Sequence, residues 1–346
     1  MPSRSPEVKT VEVDEDSAGQ RLDNFLMRQL KGVPKTHVYR IIRSGEVRVN
    51  KGRAAADTRV QAGDLVRLPP VRISERVAEK ADAMAAGMVR GAPARDFPVL
   101  FEDEAVLAID KPAGVAVHGG SGVSFGVIEQ LRMARPQAKF LELVHRLDRE
   151  TSGILLIAKK RSALKSLQDQ FRERETGKTY LALVVGHWPA NKKVLDKPLH
   201  KYLLDGEDGV HGTGERRVKV VSRDDPDGMK SVTLVKVRAV SPAGAGPGGI
   251  GFSLLEATIK TGRTHQIRVH LASEGMPIAG DDKYGDFDLN KALQKQSDGR
   301  PMLKRMFLHA WRLQFTHPVR GERIELLAQL PPDLQQFLAY VIPAQS

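Results

Sequence analysis

The densest chemistry in the chain is His145-Arg146-Leu147-Asp148-Arg149-Glu150-Thr151-Ser152-Gly153, followed by the apolar run 154–158. Asp148 stands between two arginines in sequence, just before a predicted strand. Two readings of it stand. It is either a loop carboxylate in a structural ion pair, or a carboxylate kept ionised by cationic neighbours and free to act as nucleophile or base. A carboxyl with an ordinary pKa of about 3.9 is anionic at neutral pH in either case. The second segment is Thr261-Gly262-Arg263-Thr264-His265-Gln266-Ile267-Arg268-Val269-His270-Leu271. There a strand ends, a glycine turns, and the pattern predicts a helix beginning at about Thr264. Arg268, four residues in, could face a carboxylate, and polar groups at the helix start could meet a phosphate. A basic surface helix start is the plainer alternative.

Other signals fail on spacing. Gly177-Lys178-Thr179 resembles the end of a phosphate-binding loop, but that loop needs a glycine at 172, where Arg172 stands. The glycines at 206, 209, 212 and 214 follow no strand-to-helix step and read as turn residues. His265 and His270 are five apart, on different faces of a helix, and there is no HExxH pair, so no metal site is expected.

Elements must hold these residues in place. Residues 1–17 are acidic and polar and read as a flexible tail. From 18 to 70, Leu22, Phe25, Leu26 and Leu30 recur at helical spacing over 20–30. Val38, Ile41 and Ile42 mark a second helix, with Thr36 as its cap and Gly45 as a left-handed stop. Val47, Val49, Val60 and the 64–68 run suggest short strands, making a small α+β module. Residues 71–97 are Ala-rich and read as a linker. From 98 to 346, strands are predicted at 99–101, 106–109, 154–158, 180–185, 216–221, 231–240, 252–260, 307–316 and 322–328. One helix is predicted at 162–174, and 242–251 reads as a mobile Gly-rich hairpin loop. Strands outnumber helices and polar turns are short, so the expected fold is α+β with a mostly antiparallel mixed sheet.

Composition narrows the partners. The 346 residues carry 54 Lys/Arg against 42 Asp/Glu, a formal charge of +12. Eleven Lys/Arg and only four acids fall in 18–70, a bias that phosphate binding explains better than solvation does. With no cysteine, disulfides, thiolate metal sites and thiol nucleophiles are excluded. No apolar run reaches the roughly 18 residues of a membrane span, and the amino terminus has no signal-peptide character. A cytoplasmic, nucleic-acid-binding protein is expected, with no membrane role, and nothing demands more than a monomer.

At these residues the sequence resembles the RluA-type pseudouridine synthases. The motifs are HRLDRETSG at 145–153, GKTYLALV at 177–184 and GRTHQIRVHLA at 262–272, with DKPAGVAVHGG at 110–120 and FLHAWRLQFTHP at 307–318. Residues 18–70 resemble an S4 RNA-binding domain through RLDNFL at 21–26 and IIRSGEVRVNKG at 41–52. The runs at 119–132 and 141–164 look most like the branch acting on large-subunit (23S) ribosomal RNA.

The resemblance implies that Asp148 is the essential aspartate and that Arg146 enters the RNA stack in place of a flipped uridine. It implies that Tyr180 stacks on the target base and that Arg268 pairs with the aspartate. Lys35, Arg40, Arg43, Arg48 and Lys51 become candidate phosphate contacts. The implied reaction breaks the uracil N1–C1′ bond and makes a C5–C1′ bond. Nothing is oxidised or hydrolysed overall, so no cofactor or metal is expected. The base must leave its stack, and Tyr180 could also assist removal of the C5 proton. A synthase acting on tRNA or another ribosomal site, or a non-catalytic ribosome-assembly factor, remains as an alternative. The Gly-rich stretch from 204 to 251 fits the family least.

Overall fold

The computed structural model describes residues 8–14, 17–30, 33–71, 93–119, 125–204, 216–242, 244, 247–295 and 299–343, with backbone alone at Lys35, Arg216 and Pro247. It divides into two compact units, residues 1–95 with 132–136 and residues 96–131 with 137–346.

In the first unit, Lys9–Glu12 (β1), Leu22–Gln29 (α1), Lys35–Arg43 (α2), Arg48–Val49 (β2) and Leu65–Leu68 (β3) follow one another. The strands form an antiparallel sheet of order β1-β3-β2. The apolar stripes meet as their spacing requires: Leu22, Phe25 and Leu26 of α1 are buried with Val38, Ile41 and Ile42 of α2. Gly45 takes the left-handed conformation (φ 75°) that ends α2.

Two expectations are corrected. The acidic stretch is not a free tail throughout, because β1 pairs in register with β3 and Val13 is buried. Thr36 is not the cap of α2; the helix begins at Lys35 after Pro34, whose fixed φ suits a helix start. Of the expected linker, 72–92 lies outside the described residues.

The second unit contains Val99–Glu102 (β4), Val106–Lys111 (β5), Val127–Ala134 (α3), Glu142–Leu143 (β6), Ser152–Ala158 (β7), Arg161–Glu173 (α4) and Gly177–Val185 (β8). Then come Val194–Asp196 (β9), Leu199–Leu203 (β10), Arg216–Val220 (β11), Val232–Val240 (β12), Phe252–Ile259 (β13) and Gln266–Ala272 (α5). Phe287–Gln294 (α6), Leu308–Thr316 (β14), Arg323–Leu327 (β15) and Pro332–Val341 (α7) complete it. A ten-stranded sheet runs β4-β5-β7-β14-β8-β13-β12-β9, with β15 on β14 and β6 on β7. Its strands pair antiparallel except β7 and β14, which run parallel, so the sheet is mixed and the fold is α+β. β10 and β11 form a separate antiparallel hairpin.

β7 shows why the centre is rigid. All seven of its residues are buried. Ile154 and Leu156 pack on one side with Ala163 and Leu167 of α4, while Leu155 and Ile157 pack on the other with Val127 and Leu131 of α3. The two-residue alternation of a strand sends successive side chains into these opposite layers. Gly153, the second residue of the strand, has φ 109°, and a Cβ there would lie 2.3 Å from the Ala310 carbonyl oxygen. The parallel approach of β7 to β14 therefore requires glycine. Gly177-Lys178-Thr179 opens β8 as strand, and the 206–214 glycines lie outside the described residues.

Candidate active site

The extended segment entering β7 places Asp148. His145 faces inward, stacked on Phe171 with ring centroids 4.7 Å apart, and its Nε2 accepts the Leu156 N–H at 3.1 Å. Burial pushes that imidazole down to about 3, with Lys178 adding to the effect, so it is neutral. Leu147 also faces inward, while Arg146 is exposed and Asp148 is half-buried. The H-R-L-D order is thus a strand-like alternation that presents Arg146 and Asp148 on the outer face.

The loop beyond is tied down from below. The fully buried Lys111 donates to the carbonyls of Pro112, Val115 and Arg149 at 2.7, 2.9 and 3.1 Å. Burial pushes its ammonium down to about 7, and the carbonyls satisfy all three of its protons. Gly114 N–H also donates to the Arg149 carbonyl, and Thr151 N–H to that of Asp148.

Arg268 comes from the other side. α5 begins at Gln266, two residues later than the sequence pattern suggested, because His265 takes the left-handed conformation (φ 51°). The buried Gln266 amide fixes the helix start: it accepts from Thr261 Oγ1 and donates to the Val232 carbonyl and Thr233 Oγ1. The Arg268 side chain is 3% exposed, and its fork is already occupied. Nε and Nη2 donate to Asp281 at 2.7 and 2.6 Å, and Nη2 reaches Asp282 at 3.2 Å. Its Nη1 faces Asp148 Oδ2 at 3.7 Å. Asp148 is therefore the secondary partner of Arg268, within range of its charge but beyond hydrogen-bond distance. Burial opposes charge on both Asp281 and Arg268, yet their mutual hydrogen bonds hold the carboxyl below, and the guanidinium above, their ordinary values.

Tyr180 rises from the middle of β8, paired with Ala257 on one neighbour and Ala310 on the other. Small flanking residues leave room for its ring. Burial, then the charge of Asp148, raises its hydroxyl well above the ordinary range. It keeps its proton at neutral pH and stands in the cleft as a neutral phenol.

Asp148, Arg146, Tyr180 and Arg268 line one cleft of about 120 Å³, with His265 beside them. His265 Nε2 is 3.8 Å from Asp148 Oδ2, and its Nδ1 is 2.9 Å from the Tyr284 hydroxyl. Sequence reasoning missed His265, Asp281, Tyr284 and Lys111. The signal for Asp281 was local: Gly280-Asp281-Asp282-Lys283-Tyr284 is an Asx-turn pattern, and the Asp281 carboxylate accepts the N–H groups of Lys283 and Tyr284. His270, weighed as a ligand, is buried with both ring nitrogens occupied, by Thr233 Oγ1 and the Lys197 carbonyl.

In the first unit, Arg40, Arg43 and Lys51 are exposed and Arg48 is half-buried. Lys51 sits in a left-handed turn (φ 67°) after Asn50. The Lys35 side chain lies outside the described residues. Arg43 and Arg53 line a groove with Tyr39, whose hydroxyl donates to the buried Asp23. Among the described residues no helix is long and apolar enough to cross a membrane.

A mixed sheet whose central cleft joins an aspartate, an arginine and a tyrosine, in a chain that also carries a small basic α+β module, is the setting of an RNA-modifying enzyme. The RNA pseudouridylate synthase family profile matches residues 105–273 and the S4 domain profile residues 20–66. The chain belongs to the RNA pseudouridylate synthase family and is an RNA pseudouridine synthase. It is 48% identical to ribosomal large subunit pseudouridine synthase C of Salmonella typhimurium, over 98% of each chain. Identity to the Escherichia coli protein of that name is likewise 48%, again over 98% of each chain. Among solved structures, human RNA pseudouridylate synthase domain containing 4 is 27% identical, with a TM-score of 0.54 over 77% of this chain and 98% of that one.

Proposed function

We propose that the protein converts specific uridines of large-subunit (23S) ribosomal RNA to pseudouridine, with Asp148 as the reacting carboxylate. The observation that carries this is the setting of Asp148. Its Oδ2 faces Arg268 Nη1 at 3.7 Å, within range of that charge, and His265 Nε2 at 3.8 Å, and neither contact is a short hydrogen bond that would occupy the oxygen. Such an oxygen is oriented and still available to attack C1′ or uracil C6, or to take the 2′ proton. Arg268 is held by Asp281, so little reorganisation is needed when charge moves during the reaction.

The remaining roles follow from position. The exposed guanidinium of Arg146 at the cleft mouth can fill the stack that the flipped uridine leaves, which a lysine ammonium cannot. Flipping costs a few kcal/mol, and stacking offsets part of that. Tyr180 supports the uracil by ring contact and hydroxyl donation. N1–C1′ breaks, C5–C1′ forms, N1 gains a proton and C5 loses one, so the reaction is balanced without a cofactor or metal.

Arg40, Arg43, Arg48 and Lys51 supply phosphate contacts through the S4 module, where double-helical RNA is read by shape and backbone. The enzyme acts as a monomer in the cytoplasm. The name of the relatives, which match over 98% of their length, supports the ribosomal substrate over tRNA. Mapping pseudouridines by carbodiimide-dependent primer-extension stops, with 23S ribosomal RNA and tRNA incubated side by side, tests it. Stops in the ribosomal RNA alone are expected, and stops confined to tRNA would overturn the substrate assignment.

A further inference from the structure

We propose that His265 is a positioning residue for the isomerisation, and that Tyr284 sets its tautomer so that an uncharged N–H, not a second cation, faces Asp148. This rests on the reading of Asp148 given above.

Hydrogen-bond direction carries the argument. The Val218 backbone N–H, on β11, donates to the Tyr284 hydroxyl oxygen at 3.1 Å. That leaves the phenol proton to be directed elsewhere, and His265 Nδ1 is 2.9 Å away. The His265 ring has only one proton when neutral, and its Nε2 faces the carboxylate of Asp148 at 3.8 Å. Placing the proton on Nε2 sets a donor toward the anion and leaves Nδ1 to accept from Tyr284. The order is Val218 N–H to Tyr284 oxygen, Tyr284 O–H to His265 Nδ1, and His265 Nε2–H toward Asp148.

Packing fixes this arrangement. The His265 side chain is 13% exposed and meets Tyr284 edge to face, with centroids 5.6 Å apart. The Arg268 guanidinium lies over the Tyr284 ring at 5.2 Å. The left-handed backbone of His265 is unusual for a non-glycine residue and aims the ring at the cleft.

Charged groups face the ring from several elements: Asp148 and Arg146, with Arg149 and Glu150 beyond, from the loop before β7; Arg263 before α5 and Arg268 on it; Asp281, Asp282 and Lys283 from the turn after α5; and Arg217 of β11 beyond Tyr284. Burial, Arg268 and Lys283 favour the neutral ring, against Asp148 and Asp281. A protonated His265 would clamp Asp148 between two cations and quench its reactivity. Protonation at Nδ1 would require the Tyr284 hydroxyl to give up its donation and accept a second hydrogen bond beside that of the Val218 N–H.

The test uses full-length Tyr284→Phe, His265→Gln and the double variant, with kcat and KM followed from pH 5.5 to 8.5 by tritium release from 23S ribosomal RNA. Tyr284→Phe is expected to keep KM but to lose about tenfold in kcat at pH 6 relative to pH 8, against its wild-type ratio. His265→Gln, whose amide cannot be protonated in this range, is expected to lower kcat evenly across pH, and to abolish the acid loss in the double variant. A Tyr284→Phe profile parallel to wild type, or an acid loss that persists in the double variant, would overturn the proposal. Proton NMR of the imidazole Cε1–H, identified by its absence in His265→Gln, provides a readout independent of turnover. Its midpoint should rise by about one pH unit or more in Tyr284→Phe, and an unchanged midpoint also overturns the proposal. Wild-type protein that releases no tritium would instead sink the reading of Asp148, and this proposal with it.

Discussion

Asp281→Asn isolates what holds the cleft together. In the native protein Asp281 Oδ1 accepts from Arg268 Nη2, Lys283 N–H and Tyr284 N–H, while Oδ2 accepts from Arg268 Nε. An asparagine keeps three of those four bonds if its oxygen takes the Oδ1 place. Its amide NH₂ then meets the Arg268 Nε–H, donor against donor, and the guanidinium loses its buried counter-charge. Removing one partner of a buried ion pair costs about 3–5 kcal/mol. At about 2–4 °C per kcal/mol for a unit of this size, the melting temperature should fall by roughly 10 °C. With Nε repelled, the guanidinium shifts toward Asp148, and Nη1 closes the 3.7 Å gap to a direct hydrogen bond that occupies the reactive oxygen. Turnover should fall by about tenfold or more with KM little changed, since the reacting carboxylate is engaged while the other cleft residues stay in place. Asp282→Asn is the internal control: it reaches the same Arg268 nitrogen at 3.2 Å but is 67% exposed. Exposed pairs contribute about 0–1 kcal/mol, so it should be near neutral in both assays. Thermal melts and single-turnover tritium release measure the two effects. Equal behaviour of the two variants would refute the assignment of Asp281 as the anchor.

Other substitutions probe other links. Asp148→Asn keeps shape and removes charge, so turnover should disappear while RNA affinity in filter binding stays within about twofold. Gly153→Ala drives a Cβ into the Ala310 carbonyl and should destabilise the protein by several kcal/mol in urea melts, on the order of other overpacking changes or more. His145 is neutral when folded, about 3 against an unfolded value of about 6.5, so the unfolded chain binds the proton first as pH falls. Stability should therefore drop below pH 6.5, by up to about 1.4 kcal/mol per pH unit from this group, and His145→Gln should flatten that slope. Replacing Arg40, Arg43 and Lys51 together with Ala should lower the salt slope of RNA binding by roughly 0.7–0.9 per lost phosphate contact. An unchanged slope would remove these residues from the RNA interface.

The sequence disclosed elements whose burial pattern is complete within a few residues. The stripe of Leu22, Phe25 and Leu26, and the apolar runs of β7, β13 and β14, state their own periods. The elements it hid depend on context. α7 begins at Pro331-Pro332, which reads as a breaker, although proline suits a first helical turn. α6 is capped by Asp286, whose side chain accepts the Leu289 N–H, inside a run that looks merely polar. β1 is a mostly exposed edge strand of mixed charge, so its pairing with β3 left no apolar alternation to read. In the cleft, Asp148 and Arg268 were visible as residue types beside a strand and a turn. Their distance was not visible, nor was the priority of Asp281 over Asp148 as the partner of Arg268, because those arise only when α5 and the turn after it fold onto the loop before β7.

The most direct measurement is tritium release from C5-tritiated uridine in unmodified 23S ribosomal RNA, comparing the intact protein with Asp148→Ala. The expected result is stoichiometric release by the intact protein and none by the variant, with both retaining RNA binding. Release by Asp148→Ala at the intact rate would contradict the account, because the cleft would then react without the carboxylate around which it is built.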